Sequence, residues 1–274
     1  MISYIQAIIL GLLQGFTELF PVSSLGHSVI LPSLLGWNID QSSDSFLIFI
    51  ILTHLATALA LLVFFGGEWI DIIIGFIRSL LRFRITGDSS AKLAWFIVIG
   101  TIPAGLVGLL LEKKIQELFA SPVLVSIVLI LNGLMLFAAE FLRRRNRKST
   151  LDLTWSQAFL TGLAQCLALI PGFSRTGSTL SAGLAEGLSH ESAARFSFLL
   201  ATPIILAAAL LKLPHAILHP DSAILLPSLI GAICSAGAAY FSVRFLSKYF
   251  KTKTLTPFGL YCIVFGLLSL AILH

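Results

Sequence analysis

Long apolar segments recur along the 274-residue chain and are separated by short polar stretches. A helix needs roughly 20 apolar residues to cross the hydrocarbon core of a bilayer. Two further apolar segments, at about 4–20 and 155–170, are shorter, and each breaks into a polar loop followed by a short helical piece at about 27–35 and 178–187. The pattern predicts six full-length membrane-spanning helices, at about 45–65, 93–111, 122–142, 192–213, 223–245 and 256–273.

The composition supports a membrane environment. Hydrophobic residues make up 57% of the chain and charged residues only 11%, with a mean hydropathy of +0.97. A soluble domain carries about 25% charged residues, so lipid must be the solvent of this chain. No Lys or Arg occurs among the first three residues, and no cleavable signal peptide is predicted. Cys166, Cys234 and Cys262 are isolated in apolar segments, which favours packing over a disulfide or a metal site.

The distribution of charge predicts the orientation in the membrane. Basic residues cluster in three connections, which the positive-inside rule assigns to the cytoplasm, whereas the charges of the intervening loops balance. Both termini are then predicted outside, and the net charge of +5 requires no nucleic-acid partner. The basic clusters are Arg78, Arg82, Arg84 and Lys92, then Arg143, Arg144, Arg145, Arg147 and Lys148, then Arg244, Lys248, Lys251 and Lys253; the balanced loops hold Glu112, Lys113, Lys114 and Glu117, then Lys212 and Asp221.

The two broken segments resemble each other at an offset of 151 positions, where Gly11, Leu12, Gln14, Ser23 and Gly26 match Gly162, Leu163, Gln165, Ser174 and Gly177. Each copy is followed by three spans, and because three is odd the second copy must be inverted in the membrane. We therefore predict one all-α integral membrane domain over residues 1–274. It consists of six transmembrane helices plus two re-entrant hairpins, in inverted repeats of about 1–148 and 149–274. The hairpin tips are expected to meet near the midplane, and the segment 68–84 to form an amphipathic helix in the cytoplasmic interface.

The first broken segment concentrates polar chemistry at membrane depth. Gln14 and Glu18 share a helix face, and Phe20-Pro21 ends that helix shortly before Ser23, Ser24 and His27. A buried ionisable group costs about 2.5–3.5 kcal/mol on insertion scales, so this cluster indicates a functional site. The alternative is a surface loop of the outer leaflet in which Glu18 and His27 are simply hydrated.

The second broken segment carries hydroxyl groups around one guanidinium. Pro171-Gly172 breaks the helix, and a predicted helix N-terminus follows. Arginine binds phosphate oxygens bidentately and helix N-terminal amides add donors, so the segment suits a phosphate group. The alternative is a serine-rich helix cap with its arginine reaching the cytoplasmic interface. The candidate phosphate ligands are Ser174, Arg175, Thr176 and Thr179, with Ser23 from the first segment.

Other ionisable residues carry less weight. Glu140 is expected to pair with the arginine run beside it, and Glu191 to lie in the first turn of a helix, where the dipole favours an anion. Glu186 is ambiguous, and His215 and His219 are expected to be solvated in an outer loop. His54 lies inside the first span and either bonds to a neighbouring helix or faces a cavity.

With these residues the chain resembles the integral-membrane undecaprenyl-diphosphatases, also called bacitracin resistance proteins. Their first motif is E/Q-xxx-E followed by PVSS-x-GH, found here from Gln14 to Glu18 and from Pro21 to His27. Their second motif is PG-x-SR-[ST]-G-x-T, found here from Pro171 to Thr179. The likeness extends through 196–203 and covers essentially the whole chain.

The resemblance implies six spans with two re-entrant hairpins and an enzyme that converts the C55 polyprenyl diphosphate to its monophosphate, recycling a carrier for peptidoglycan and other envelope polymers. It implies a site open to the periplasmic side of the bacterial inner membrane and a divalent cation, Mg²⁺ or Ca²⁺, held by Glu18 with Gln14. Gln14 occupies a position that is commonly acidic in the family, so metal binding would rest more on Glu18. Thr176 replaces a common serine and keeps the hydroxyl.

The predicted catalytic residues are Glu18, Ser24, His27 and Arg175, but the nucleophile is left open. Ser24 activated by His27 is one arrangement; His27 acting directly, or as the base for a water, is the other. A lipid-phosphate transporter is the competing class, because inverted repeats with broken helices are typical of secondary transporters. The oligomeric state, including a homodimer, is also left open.

Overall fold

The computed structural model describes residues 2–41, 43–85, 87–118, 121–143, 149–218 and 222–273, without the side chains of 112–118, 213–218 and 222–223. All regular elements in these ranges are helices. They are α1 (Tyr4–Leu19), α2 (Ser24–Leu34), α3 (Asp44–Phe64), α4 (Gly66–Arg82), α5 (Ser89–Leu118), α6 (Pro122–Leu142), α7 (Trp155–Gln165), α8 (Arg175–Ala185), α9 (His190–Leu218), α10 (Ser222–Tyr249) and α11 (Thr256–Leu273), with 3-10 turns at Thr150–Asp152 and Cys166–Leu169.

Six of these helices are long and apolar enough to cross a membrane, which confirms the predicted spans. The crossing segments lie in α3, α5, α6, α9, α10 and α11. Helices α5 and α9 continue beyond the predicted spans. The predicted charges at 112–117, 144–148 and 221, and the side chains of His215 and His219, lie outside the described residues.

Helices α2 and α8 each begin three residues earlier than predicted, because a serine caps each of them. The Ser23 hydroxyl accepts a hydrogen bond from the Gly26 N–H, and the Ser174 hydroxyl accepts one from the Gly177 N–H. Such caps satisfy amides that a helix N-terminus would otherwise leave unpaired. The polar residues expected in loops therefore lie in the first turns of α2 and α8.

The first helix of each broken segment packs against a span of the other half of the chain. A Cβ atom on Gly11 of α1 would lie 2.3 Å from the carbonyl oxygen of Gly231 in α10. A Cβ atom on Gly162 of α7 would lie 2.3 Å from the carbonyl oxygen of Gly100 in α5. An inverted repeat predicts reciprocal contacts of this kind, and the repeat itself stays a prediction.

Ion pairs tie the helices together at the end predicted to be cytoplasmic. Glu140 in α6 accepts hydrogen bonds from His190 at 2.7 Å and from the N–H of Leu255 at 2.6 Å. It also lies 3.6 Å from Arg143, the expected partner from the arginine run. Glu191 occupies the first turn of α9 as predicted. Helix α4 contains most of segment 68–84, and apolar side chains such as Ile73 and Ile77 are exposed on its outer surface.

Candidate active site

Glu18, near the end of α1, is the centre of the polar cluster. Its Oε1 accepts a hydrogen bond from Arg175 Nη2 at 2.7 Å, which joins the two broken segments. Its Oε2 accepts hydrogen bonds from the Ser24 hydroxyl and from Gln14 Nε2, the latter at 3.0 Å. His54 Nε2 of α3 lies 3.3 Å from the same oxygen. Three parts of the chain that are distant in sequence therefore meet at one buried carboxylate.

Tight local geometry holds two polar turns in place. The first turn, residues 20–23, connects α1 to α2, and the second turn, residues 169–174, leads into α8. Ser23 adopts a positive φ of 67°, which is uncommon for a residue other than glycine and is stabilised here by its capping bond. Gly172 has a φ of 106°, and a Cβ atom there would lie 2.7 Å from the carbonyl oxygen of Val125. Only glycine suits that position, so the PG pair lets the second turn lie directly against α6.

Asn132 of α6 connects the two turns. Its amide nitrogen donates to the carbonyl oxygen of Pro21 at 3.0 Å, and its amide oxygen accepts from the N–H of Ser174 at 3.0 Å. Both contacts are buried. A single side chain thus fixes the distance between the first and second turns, and nothing in the local sequence of α6 indicated this role.

A cavity of about 840 Å³ opens beside this cluster. Glu18, Ser23, Ser24, Ser174 and Arg175 all lie on its wall, as the sequence predicted. The cavity lies on the same side as the 35–43 connection and the first residue of α6, which is the side predicted to be periplasmic. Gln14 contacts Glu18 but does not line the cavity.

The structure does not bring His27 to Ser24, which was one of the arrangements that the sequence left open. The carbonyl of Ser23 can only accept, so His27 Nδ1 donates to it at 2.7 Å, and the Tyr261 hydroxyl then donates to Nε2 at 2.8 Å. The ring also stacks on Phe265 with a centroid distance of 4.9 Å. Both nitrogens are engaged away from the cavity wall, so His27 holds α2 against α11 instead of serving as a base for Ser24.

Thr176 and Thr179 are likewise placed differently from the prediction. The Thr176 hydroxyl donates to the main-chain carbonyl of Glu18 at 3.1 Å. The Thr179 hydroxyl donates to the carbonyl of Arg175 at 2.9 Å and lies 2.6 Å from the Ser197 hydroxyl. Neither residue lines the cavity, so their hydroxyls position the backbone and do not face a phosphate.

Two cavity residues were absent from the predicted site. His54 faces the cavity, and its Nδ1 donates to the carbonyl of Ile50 at 2.8 Å, which directs Nε2 toward Glu18. Gln165 is buried on the wall, and its Oε1 has no hydrogen-bond partner among the described residues. The repeat could have indicated Gln165, because Gln165 matches Gln14 in the first copy. However, the second copy has Leu169 at the position of Glu18, so Gln165 has no equivalent carboxylate partner.

The electrostatics of the cavity suit an anion. Arg175 pairs with Glu18 through Nη2 only, and its buried Nη1 has no partner among the described residues. A buried donor without a partner needs an explanation, and beside a cavity a bound anion is one such explanation. The N-termini of α2 and α8 both lie beside this pair, and their amides carry partial positive charge.

The oxygen atoms of Glu18 and Gln14 could hold a divalent cation only if a bound substrate supplied further oxygen ligands. No group of three or more His, Cys, Asp or Glu side chains that could hold a metal occurs among the residues described. The buried Oε1 of Gln14 has no described partner and lies on the residue that binds Glu18. Mg²⁺ is commonly held by one or two carboxylates plus phosphate oxygens of the substrate, so Glu18 and Gln14 fit that pattern.

The fold and the site together define an integral membrane protein, with six helices able to cross a membrane and a buried Glu18–Arg175 pair beside a cavity. Residues 7–268 match the family described as Bacitracin resistance protein BacA, and the chain belongs to this family. The chain is 47% identical to an undecaprenyl-diphosphatase of Mycolicibacterium paratuberculosis, over 98% of this chain and 97% of that protein. It is 49% identical to undecaprenyl-diphosphatase 2 of Burkholderia thailandensis, over 96% and 94% respectively.

Proposed function

We propose that this protein is a membrane undecaprenyl-diphosphatase, which cleaves the C55 polyprenyl diphosphate to the monophosphate and inorganic phosphate. The observation that carries the proposal is the Glu18–Arg175 pair, placed next to Ser24 on a cavity in a membrane-spanning fold. The two relatives, which align with nearly the whole chain, are named undecaprenyl-diphosphatases. The product would return to the carrier pool for peptidoglycan synthesis, and the activity would confer resistance to bacitracin.

Arg175 would hold the terminal phosphate. Its Nη1 is the buried donor without a described partner, and a phosphate oxygen would satisfy it. Ser23 and Ser174 line the same wall and cap the two helix N-termini beside the pair. Catalysis of phosphoryl transfer consists mainly of positioning and of neutralising charge on the transferred group, which these donors can supply.

Ser24 is the nucleophile that this geometry favours over His27. Its hydroxyl already donates to the Glu18 carboxylate, which can accept the proton as Oγ attacks the terminal phosphorus. The bond from that phosphorus to the bridging oxygen breaks, and the lipid leaves as the monophosphate. Water then hydrolyses the phosphoserine, which releases inorganic phosphate and restores the Ser24 hydroxyl.

A divalent cation, Mg²⁺ or Ca²⁺, would be held by Glu18 with Gln14 and by the diphosphate. When bound, it would neutralise charge on the phosphate oxygens. We also propose that the protein resides in the bacterial inner membrane with both termini outside and the cavity open to the periplasm, in agreement with the balanced charges at that end. The reciprocal glycine contacts of α1 and α7 support the proposed inverted repeats with re-entrant hairpins.

Phosphate release in detergent distinguishes this enzyme from a lipid-phosphate transporter. Purified protein, C55 diphosphate and Mg²⁺ or Ca²⁺ should release inorganic phosphate, and chelation with EDTA should suppress the release. Detergent removes compartments, so a pure transporter would release none. Absence of phosphate release by folded protein under these conditions would refute the proposed activity.

Trapping the intermediate tests the nucleophile. Acid quenching during turnover should yield a phosphopeptide containing Ser24 by mass spectrometry, and Ser24→Ala should abolish it together with turnover. Ser126→Ala is the matched control, since the Ser126 hydroxyl bonds only within α6 and lies off the cavity wall. Full activity of Ser24→Ala would exclude serine, and activity loss without any trapped phosphoserine would favour water as the nucleophile.

A further inference from the structure

The cavity beside Arg175 has two chemically different sides. Its mouth is polar, with Asp40, Gln41, Asp44 and Lys212 among its residues. The side formed by α5, α9 and the second turn is apolar, and its wall includes Ala104, Leu169, Phe173, Ile204 and Ala208. A ligand with an anionic head and a hydrocarbon tail would therefore find water-facing groups on one side only.

The apolar side leads toward a gap between α5 and α6. Although consecutive, these helices are not a packed pair in the described part of the chain, since α5 packs on α4, α7 and α9 whereas α6 packs on α2, α8 and α11. Both contribute to the cavity wall, α5 through Ala104 and α6 through Pro122.

The second turn bridges this gap. A Cβ atom on Gly108 of α5 would lie 3.6 Å from Leu169 Cδ2, and Gly172 lies directly against Val125 of α6. Ile170 of the same turn is exposed and does not line the cavity, so it lies on the outer surface of the protein. Leu169 and Phe173 thus lie between the cavity and the apolar surface of the protein.

We propose that the isoprenoid tail of the lipid diphosphate leaves the cavity between α5 and α6, passing over Leu169 and Phe173, while the diphosphate reaches Arg175. The proposal rests on the lipid diphosphate being the substrate. The second copy of the repeat carries Leu169 where the first carries Glu18, so a position that is ionic in the first copy is apolar in the second.

Solvation requires such a route. Exposing the tail at the polar mouth of the cavity would cost about 0.8 kcal/mol per methylene, so the tail must stay in apolar surroundings.

A larger side chain in the second turn should reduce turnover of a long-tailed lipid more than that of a short-tailed lipid. Leu169→Trp should lower the ratio of kcat/KM for C55 diphosphate to that for a C15 polyprenyl diphosphate by about tenfold, because the short tail extends less far past the turn. Leu167→Trp is the matched control, since Leu167 lies in the same 3-10 turn, is exposed and does not line the cavity. It should leave the ratio within twofold of the wild type.

A ratio unchanged in folded Leu169→Trp would overturn the route, even if both rates fell together. Wild-type protein that hydrolysed neither lipid would instead refute the substrate. If Leu169→Trp does not fold, Leu169→Cys in a Cys166→Ala, Cys234→Ala background can be folded first and then alkylated with a pyrene maleimide. Alkylation should lower the same ratio, and an unchanged ratio after complete alkylation would again overturn the route.

Discussion

At the level of single residues, the site depends on one buried carboxylate that contacts several neighbours. Glu18 binds Arg175, Ser24 and Gln14 in a buried setting. Removing one partner of a buried ion pair costs about 3–5 kcal/mol, because the other charge is left unpaired. Catalysis and stability are therefore coupled at this position, and informative substitutions must retain charge.

Arg175→Lys keeps the charge but removes the planar fork that can bind Glu18 and a phosphate together. We expect kcat to fall about 10²- to 10³-fold, the usual cost of losing a preorganised donor to the transferred group. Arg195→Lys is the control, since Arg195 pairs with Glu68 in a partly exposed contact between α9 and α4. Steady-state phosphate release measures both variants, and equal losses would argue against a specific role for Arg175.

Substitution of His54 should mainly affect catalysis, whereas substitution of His27 should mainly affect stability. His54→Ala removes the imidazole whose Nε2 lies 3.3 Å from the Glu18 carboxylate and should lower kcat/KM about 10- to 100-fold, because this side chain helps to position the carboxylate beside Ser24. His27→Asn loses its contacts with Tyr261 and Phe265, so its main effect should be on the melting temperature. Kinetics and thermal unfolding of both variants test this assignment, which the reverse pattern would contradict.

At the level of elements, the helices that carry the site are held by close backbone contacts. Helix α1 packs on α10 at Gly11, and α7 packs on α5 at Gly162, in both cases with no space for a side chain. Small residues allow such approach between membrane helices, where van der Waals packing replaces the hydrophobic effect. Asn132 then fixes the two turns relative to each other.

Gly11→Ala and Gly162→Ala should each destabilise the fold by about 1–3 kcal/mol, the usual cost of overpacking. Each methyl group would meet a carbonyl oxygen of the opposing helix. Gly237→Ala in α10 is the control, because a Cβ atom there meets nothing within 4 Å and alanine favours helix. Thermal unfolding in detergent should show two losses and one neutral or slightly stabilised variant, and a neutral Gly11→Ala would contradict the close approach.

At the level of the whole molecule, the charges at the two ends predict how the cavity faces the cell. The basic residues Arg244, Lys248 and Lys251 lie at the end opposite the cavity mouth. Positive charge is retained in the cytoplasm, so the cavity should face the periplasm.

Single cysteines test this orientation in a background without the native thiols. Asn38→Cys lies beside the cavity mouth and Thr252→Cys lies between α10 and α11, and both positions are exposed. A membrane-impermeant maleimide should label Asn38→Cys in intact spheroplasts and Thr252→Cys only after permeabilisation. Labelling in the opposite order would show that the cavity faces the cytoplasm.

The sequence by itself determined the spans, the two broken segments and the residues nearest to them in the chain. These follow from local rules: about 20 apolar residues cross a bilayer, a proline ends a helix, and Glu18, Ser24 and Arg175 lie within or beside the breaks. The start of α2 and of α8 was missed by three residues, because a polar run was taken for a loop although its first serine caps a helix.

Only the tertiary structure decided which polar groups meet. His27 was chosen over His54 because it is close to Ser24 in sequence, yet α2 turns it toward Tyr261 while α3 brings His54 to Glu18. The role of Asn132 could not be predicted from the sequence, because its two partners lie on segments far from α6 in the chain. Side-chain direction depends on helix rotation and packing, which pair residues tens to hundreds of positions apart and leave no periodic trace in the sequence.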